Sequence, residues 1–306
     1  MDQRGVRRGE GLELKPNVEQ LRDHIGQKLI REDIVAPGQA RAVLATLGRP
    51  GDPVVGDPLP PAWHMFYCVA TDPPGALGPD GLPRAYEVIP ELPLPRRMFA
   101  GARMRFYAPL RIGDSVRLES ELLSLDAKQG RTGALIFATV INRVFRTGDD
   151  TLATEEEYDI VAREAVPAGQ SNPLPAAEPV PADVAWRRSV PVDAVMLFRF
   201  SALVFNPHRI HYDRAHATGV EGYPGLVVHG PLHLVLLLEL LRDSAPARTI
   251  GSLMMRAKAP LFDNASVGLA GRLTADGRGA ELWTVTPEGG IATEVVVAFD
   301  DEEAGT

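Results

Sequence analysis

The chain has 306 residues, and its content of 45 % hydrophobic and 24 % charged residues is typical of a folded protein with a sizeable core. The net charge of −8 disfavours contact with phosphate backbones, so we expect no nucleic-acid partner. The single cysteine, Cys68, excludes an internal disulfide, and the most apolar run, 226–241, is too short for a membrane span. We therefore expect a cytoplasmic protein that does not enter a membrane.

The first half of the chain begins with a predicted helix at 37–47, where apolar residues recur at helical spacing between an initial proline and a terminal glycine. A proline-rich stretch, 50–95, follows, and we expect it to be irregular apart from a central apolar helix that starts near His64. Alternating apolar residues between turn sequences then predict three strands, at 115–125, 134–145 and 151–161.

The second half follows a proline-rich stretch, 165–182, whose lack of periodicity is typical of an extended linker. Asp193 is a favourable N-cap for a helix at 194–204, which is apolar on nearly all sides and should be buried. Pro231 is a favourable first position for a strongly apolar helix that ends near Arg242. Asp-Gly and Gly-Gly turns separate three further predicted strands, at 266–275, 280–286 and 291–299.

The two halves are related by an internal repeat. Residues 104–116 align without gaps on residues 255–267, with 7 of 13 positions identical at a constant offset of 151. A duplication with so long a period indicates two structural copies in tandem. We therefore predict an N-terminal domain at 15–164, the linker at 165–182 and a C-terminal domain at 183–300.

Each half thus reads as a helix, an irregular segment, a central apolar helix and an antiparallel sheet. This order predicts an α+β fold, a tandem (double) hotdog in which two antiparallel sheets are each wrapped around a central apolar helix. A lone copy would leave one sheet edge unpaired, and the two copies can join edge to edge.

Five of the seven histidines fall within 26 residues of the second half: His208, His211, His216, His229 and His233. Pro207 disfavours helical geometry at the residue before it and so ends the helix at 194–204. The side chains that follow are therefore displayed on an irregular segment between two apolar helices. Histidine is the commonest general base, so this segment is the candidate site.

The tip of the second apolar helix is a candidate binding site for a carbonyl oxygen. The first N–H groups of a helix have no partner within it and carry partial positive charge. Because Pro231 has no N–H, we expect Gly230 and Leu232 to be the donors, and Gly230 lets a ligand approach closely. The alternative, that Gly230 only permits tight packing, stays open here.

The sequence resembles the MaoC-like hydratase/dehydratase superfamily in two second-half stretches, 198–213 and 222–231. It is more closely similar to a double-hotdog subgroup that contains 3-methylfumaryl-CoA (mesaconyl-C4-CoA) and itaconyl-CoA hydratases. Stretches 94–101 and 106–114 resemble the N-terminal domain of that subgroup, so the resemblance covers about 15–300.

The resemblance implies roles for individual residues. Aligned on the superfamily pattern Gly-Asp-x-Asn-Pro-Ile-His, His211 is the catalytic histidine and Asn206 occupies the place of the partner carboxylate. A neutral amide cannot abstract a proton, so we expect Asn206 to hold the water or to orient the imidazole. Gly230 would hold the thioester oxygen, and His208 would contact the substrate. The first half lacks this pattern, which implies one active site per chain and a packing role for His64.

The lead hypothesis is a hydro-lyase that adds or removes water across the C=C bond of an enoyl- or 3-hydroxyacyl-CoA thioester, without metal or other cofactor. If the substrate carries a second carboxylate, Arg199, Arg209 and Arg256 are the candidates to bind it. A homodimer is compatible with this organisation.

Three alternatives stay open from the sequence. The substrate could be an acyl chain on a carrier protein instead of CoA. His208, His211 and Asp213 have a spacing that could supply metal ligands. Because Asn206 replaces the usual Asp, the chain could also be a non-catalytic subunit that binds acyl thioesters.

Overall fold

A computed structural model describes residues 19–130, 133–165 and 177–300, and these residues form one antiparallel sheet of ten strands. The strands are β1 Lys28–Ile34, β2 Arg96–Phe106, β3 Ser115–Gly130, β4 Gly133–Arg146, β5 Thr151–Arg163, β6 Trp186–Val190, β7 Ile250–Ala257, β8 Val267–Leu273, β9 Gly279–Val285 and β10 Ile291–Phe299. Their order across the sheet is β1-β3-β4-β5-β2-β7-β10-β9-β8-β6, so each half contributes five neighbouring strands.

The six strands predicted from alternation and turn sequences are confirmed as β3, β4, β5, β8, β9 and β10, with small differences at their ends. Four strands were not predicted. The edge strands β1 and β6 expose much of their surface and carry several charged residues, so their apolar alternation is weak. The other two, β2 and β7, lie at the middle of the sheet, where one half meets the other.

The two halves join by pairing β2 with β7 in antiparallel register. Ala102 lies opposite Met255, and Met104 lies opposite Leu253. A shift of 151 residues, the offset of the sequence repeat, converts one of these pairs into the other. The join is therefore related by a local twofold axis, and the two five-stranded sheets meet edge to edge in one continuous sheet, as predicted.

The helices are α1 Pro37–Leu47, α2 Ala194–Leu203, α3 Arg214–Gly219 and α4 Gly230–Ser244. The longest, α4, is the central helix of the second half and contacts β8, β9 and β10 as well as β2 and β6. Ten consecutive residues of α4, 232–241, are buried, as expected for a helix that is apolar on nearly all sides.

The described residues of the first half contain no counterpart of α4, so the prediction of a central helix near His64 is wrong. Between 48 and 95 the chain forms only two short 3-10 turns, Trp63–Phe66 and Pro74–Ala76. The physical reason is the density of prolines, which remove backbone donors and disfavour helical geometry at the residues before them. The turn at Trp63–Phe66 still contributes buried Trp63 and Phe66 to the core.

Helix α1 has the predicted bounds and ends on Gly48 in left-handed geometry, with φ of 65°. The predicted N-cap of α2 is also confirmed, because the Asp193 side chain accepts a hydrogen bond from Met196 N. The expected burial of α2 is wrong on one face, where Val195 and Phe198 are exposed. Only the face that packs towards α1 and the core is covered.

Most of the predicted linker, together with the start of the predicted N-terminal domain, lies outside the described residues. Within the described part of the chain, no helix combines the length and the apolar character that crossing a membrane requires.

Candidate active site

The imidazole of His211 is held in one tautomer by the backbone. His211 lies at the end of a 3-10 turn, Arg209–His211, and its Nδ1 is 2.8 Å from the carbonyl oxygen of Val227. Because a carbonyl oxygen only accepts hydrogen bonds, Nδ1 must carry the proton, and Nε2 must carry the lone pair. Burial lowers the pKa of His211 to about 4, so the ring is neutral at neutral pH. The ring can therefore act as a base through Nε2.

A second imidazole supports the first. The ring of His229 stacks on the ring of His211 with centroids 3.6 Å apart and planes 18° apart. Its Nε2 lies 2.8 Å from Ser201 Oγ, which projects from α2. Burial, followed by the charge that His211 would carry, lowers the pKa of His229 well below its usual value. His229 is also the N-cap of α4, so the stack places His211 beside the tip of that helix.

Asn206 lies in the turn that follows α2. Its Oδ1 accepts a hydrogen bond of 2.9 Å from the backbone N of His208, which leaves its NH₂ group as the part able to meet a ligand. The preceding residue, Phe205, has a φ of 49°, a left-handed conformation that a bulky residue rarely adopts. Phe205 stands where the superfamily pattern has glycine, a residue that adopts this conformation without steric cost.

His208 packs edge-on against His211, with ring centroids 5.5 Å apart and planes 88° apart. It is 8 % exposed, and its pKa is lowered mainly by burial and further by the charges of its neighbours His211, Arg97 and His216. The structure therefore brings together three of the predicted residues, Asn206, His208 and His211, around one neutral imidazole cluster.

Gly230 begins α4, as the sequence predicted, and Phe99 of the first half packs directly against it. A Cβ atom at this position would lie 2.8 Å from Phe99 Cδ1, so a larger residue would force a shift. The N–H of Gly230 makes no hydrogen bond within the described residues. Leu232 is not the second donor that was predicted, since its N–H bonds to His229 O at 3.0 Å and its side chain is fully buried.

The three predicted carboxylate-binding arginines do not gather around His211. Arg199 is exposed on α2, and Arg256 is exposed on β7, where it follows buried Met255 and so faces the opposite side of the sheet. Arg209 is paired with Asp213 at 2.8 Å and also bonds to Pro79 O.

The metal alternative meets an obstacle at Asp213. One of its carboxylate oxygens accepts a hydrogen bond from His216 N as the cap of α3, and the other pairs with Arg209. Among the described residues, no group of three or more His, Cys, Asp and Glu side chains is arranged to hold a metal ion.

Sequence reasoning assigned no role to several residues that shape the site. Ser201 and His229 form one hydrogen-bonded pair, and the Nδ1 of His233 lies 2.7 Å from Thr293 Oγ1 further along α4. Ser201 could have been found as a polar residue within an apolar helix, and His229 as the residue before Gly230. The carbonyl of Val227 could not have been identified from the sequence, because every residue has a backbone carbonyl.

Known proteins resemble this chain over most of its length. A family model described as Htd2, hydroxyacyl-thioester dehydratase type 2, matches residues 62–263. The chain is 46 % identical over 277 residues to mesaconyl-C(4)-CoA hydratase of Chloroflexus aurantiacus, covering 89 % of this chain and 95 % of the relative.

Solved structures resemble the fold at low sequence identity. A MaoC-like dehydratase from Phytophthora capsici superposes with a TM-score of 0.64 at 12 % identity, over 95 % of this chain and 100 % of that one. A Mycobacterium tuberculosis protein described as having a double hotdog fold superposes with a TM-score of 0.52 at 14 % identity, over 90 % and 96 %. The predicted double hotdog is confirmed.

Proposed function

This chain belongs to the hydroxyacyl-thioester dehydratase type 2 family and is a hydro-lyase of acyl-CoA thioesters; on that basis we propose that it hydrates a short dicarboxylic enoyl-CoA of the mesaconyl-C4-CoA type at the second-half imidazole cluster. The observation that carries the proposal is the lone pair on His211 Nε2, fixed by the bond from Nδ1 to Val227 O and placed beside the tip of α4.

The hydration step follows from this geometry. His211 Nε2 takes a proton from water while the water oxygen bonds to the β-carbon, and the C=C electrons move towards the thioester oxygen. The N–H of Gly230 donates a hydrogen bond to that oxygen and stabilises the enolate. The imidazolium Nε2–H then returns the proton to the α-carbon, so one C–O and one C–H bond replace the C=C π bond.

Asn206 has a positioning role in this scheme. Because its Oδ1 is occupied by His208 N, its NH₂ group donates to the oxygen of the water and leaves the water's protons to His211. His229 stabilises the stacked geometry, and Ser201 holds His229. A single base thus serves both proton transfers, without the second carboxylate of the wider superfamily.

The assay that tests the proposal follows the loss of enoyl absorbance when the purified chain meets mesaconyl-C4-CoA, itaconyl-CoA, crotonyl-CoA or a longer enoyl-CoA. We expect the highest kcat/KM with mesaconyl-C4-CoA. Catalysis by the isolated chain excludes the non-catalytic alternative, while a preference for carrier-protein thioesters in a parallel assay overturns the choice of CoA. We further propose a homodimeric, cytoplasmic protein, which light scattering and cell fractionation test.

A further inference from the structure

A dicarboxylic substrate places a negative charge close to the base, and the structure offers a cation there that the sequence reasoning passed over. In mesaconyl-C4-CoA the free carboxylate is attached to the β-carbon, the atom that water attacks. The group that binds it must therefore lie beside the imidazole cluster. Arg199 and Arg256 are exposed elsewhere, and the Nε and Nη2 atoms of Arg209 both already hydrogen-bond to Asp213.

Arg97 lies on β2, two residues before Phe99, so the two side chains share one face of the strand. Phe99 packs against Gly230 at the tip of α4, which identifies this face as the one towards the site. The residue opposite Arg97 on β5 is Ala162, which is fully buried and belongs to the core. Arg97 therefore projects inwards, towards the second-half cluster.

The guanidinium of Arg97 is hydrogen-bonded at one end and faces a single carboxylate, Asp80, at the other. Its Nη1 donates to the carbonyl oxygens of Pro83 at 2.5 Å and Arg84 at 3.4 Å. Its Nη2 is 3.6 Å from Asp80 Oδ2, which is ion-pair distance and longer than a hydrogen bond. Within the described residues, Nε and Nη2 make no hydrogen bond. They form the edge that binds a carboxylate through two parallel bonds.

The loop that holds the Arg97 guanidinium, residues 80–84, contacts the segment that carries His208 and His211. The backbone N of Arg209 donates to Asp80 O at 2.8 Å, and a Cβ atom on Gly81 would meet Pro207 O at 2.1 Å. The first-half loop that holds the guanidinium is thus packed against the turn that carries His208. The charge of Arg97 is close enough to His208 to oppose its protonation.

Asp80 is the one carboxylate at ion-pair distance from Arg97, and the other groups around the cluster add no unpaired negative charge. The imidazoles of His208 and His211 are neutral, and the nearby carboxylate of Glu221 is already paired with Arg96 at 2.5 Å. Asn206 stands where the superfamily pattern has Asp, so the turn lacks a negative charge that would repel a substrate carboxylate.

We propose that Arg97 binds the distal carboxylate of the substrate through its Nε and Nη2 edge, and that it selects dicarboxylic acyl-CoA over monocarboxylic acyl-CoA. This inference rests on the proposed function, because it names the group that recognises that substrate class. Arg97 contacts the substrate in this scheme but takes no part in proton transfer.

Turnover provides the first test, with Arg97→Met and Arg97→Gln compared against Arg105→Met, an exposed arginine on the same strand. We expect both Arg97 variants to lose on the order of 10²-fold in kcat/KM for mesaconyl-C4-CoA, because truncating one partner of a buried charge pair is costly. For crotonyl-CoA, which lacks the carboxylate, we expect about threefold change or less. Equal losses on both substrates, or no loss on either, would overturn the proposal.

Binding provides a second test that does not depend on turnover. Succinyl-CoA has the distal carboxylate but no C=C bond, and butyryl-CoA lacks both, so calorimetry can compare their Kd values for each variant. We expect unmodified protein and Arg105→Met to favour succinyl-CoA by about tenfold or more, and both Arg97 variants to lose that preference. A preference that survives Arg97→Gln overturns the role of Arg97, as does its absence from the unmodified protein. If the unmodified protein turns over only crotonyl-CoA, the substrate proposal fails, while this comparison still decides the role of Arg97.

Discussion

The two halves of the molecule share one sheet but differ in the helix and side chains that pack against it. In the second half, α4 crosses the sheet, and neutral imidazoles gather at its tip. In the first half, the described residues form no such helix, and the interior contains acidic and basic side chains close to one another. Tyr158 OH donates to Glu87 at 2.7 Å, Glu87 also pairs with Arg31 at 2.8 Å, and His64 Nε2 is 3.5 Å from Glu156.

This difference explains how two halves with similar sheets can hold histidines of different reactivity. The Nδ1 of His211 is bonded to a backbone carbonyl, and its Nε2 makes no hydrogen bond within the described residues. His64 faces a carboxylate at ion-pair distance. A base needs a free lone pair, so we propose that the carboxylate beside His64 makes it less reactive than His211.

The proposed difference between the two halves is contradicted if His211 and His64 contribute equally to turnover. We expect His211→Ala to lower kcat for hydration of mesaconyl-C4-CoA by about 10³-fold or more, because it removes the base for both proton transfers. We expect the matched variant His64→Ala to lose less than about tenfold, and only through packing. Steady-state assays on folded variants decide this. A larger loss of kcat from His64→Ala than from His211→Ala would place the base in the first half and contradict the proposal.

The helix tips provide the next comparison. Gly230→Ala should lower kcat by on the order of 10²-fold, because its Cβ would meet Phe99 Cδ1 at 2.8 Å and displace the N–H that binds the thioester oxygen. The matched change Gly38→Ala, near the start of α1, adds a Cβ that meets nothing within 4 Å. It should leave kcat unchanged. An unaltered kcat in Gly230→Ala would remove the helix tip from the mechanism.

The smallest predicted effect is on the free energy of unfolding. It tests whether the buried imidazoles of the second half are neutral, in contrast to the ion-paired groups of the first half. Burial lowers the pKa of His211 and His233 to about 4, against about 6.5 in an unfolded chain. Between these values the unfolded chain binds more protons, so the free energy of unfolding falls as pH is lowered from about 6.5 to 4. The loss is up to about 3 kcal/mol for each residue.

Urea unfolding at pH 7, 5.5 and 4.5 checks this prediction. His233→Gln should make the dependence on pH shallower, since it removes one of the buried imidazoles that take up a proton on unfolding. An unchanged slope in that variant, or greater stability at pH 4.5 than at pH 7, would show that these imidazoles are not held neutral by burial.

Local patterns predicted much of this fold, and long-range contacts explain the rest. The hairpin strands β8, β9 and β10 were predicted because turn sequences and alternation are local signals. The pairing of β2 with β7 was foreseen only as an edge-to-edge join, since its register depends on residues far apart in sequence.

The site residues also separate into those with a local sequence signal and those that depend on long-range contacts. We proposed His211 and Asn206 from their motif, and Gly230 from its position at a helix start. Arg97 was missed because it lies more than 100 residues before His208, and only the packing of the first-half loop against the catalytic turn brings the two together.

A crystal structure of the His211→Gln variant with mesaconyl-C4-CoA bound tests the central claim most directly. We predict a thioester oxygen within hydrogen-bond distance of Gly230 N and a β-carbon facing the side chain at position 211. An acyl group bound beside His64 in the first half, or a thioester oxygen pointing away from the tip of α4, would contradict it.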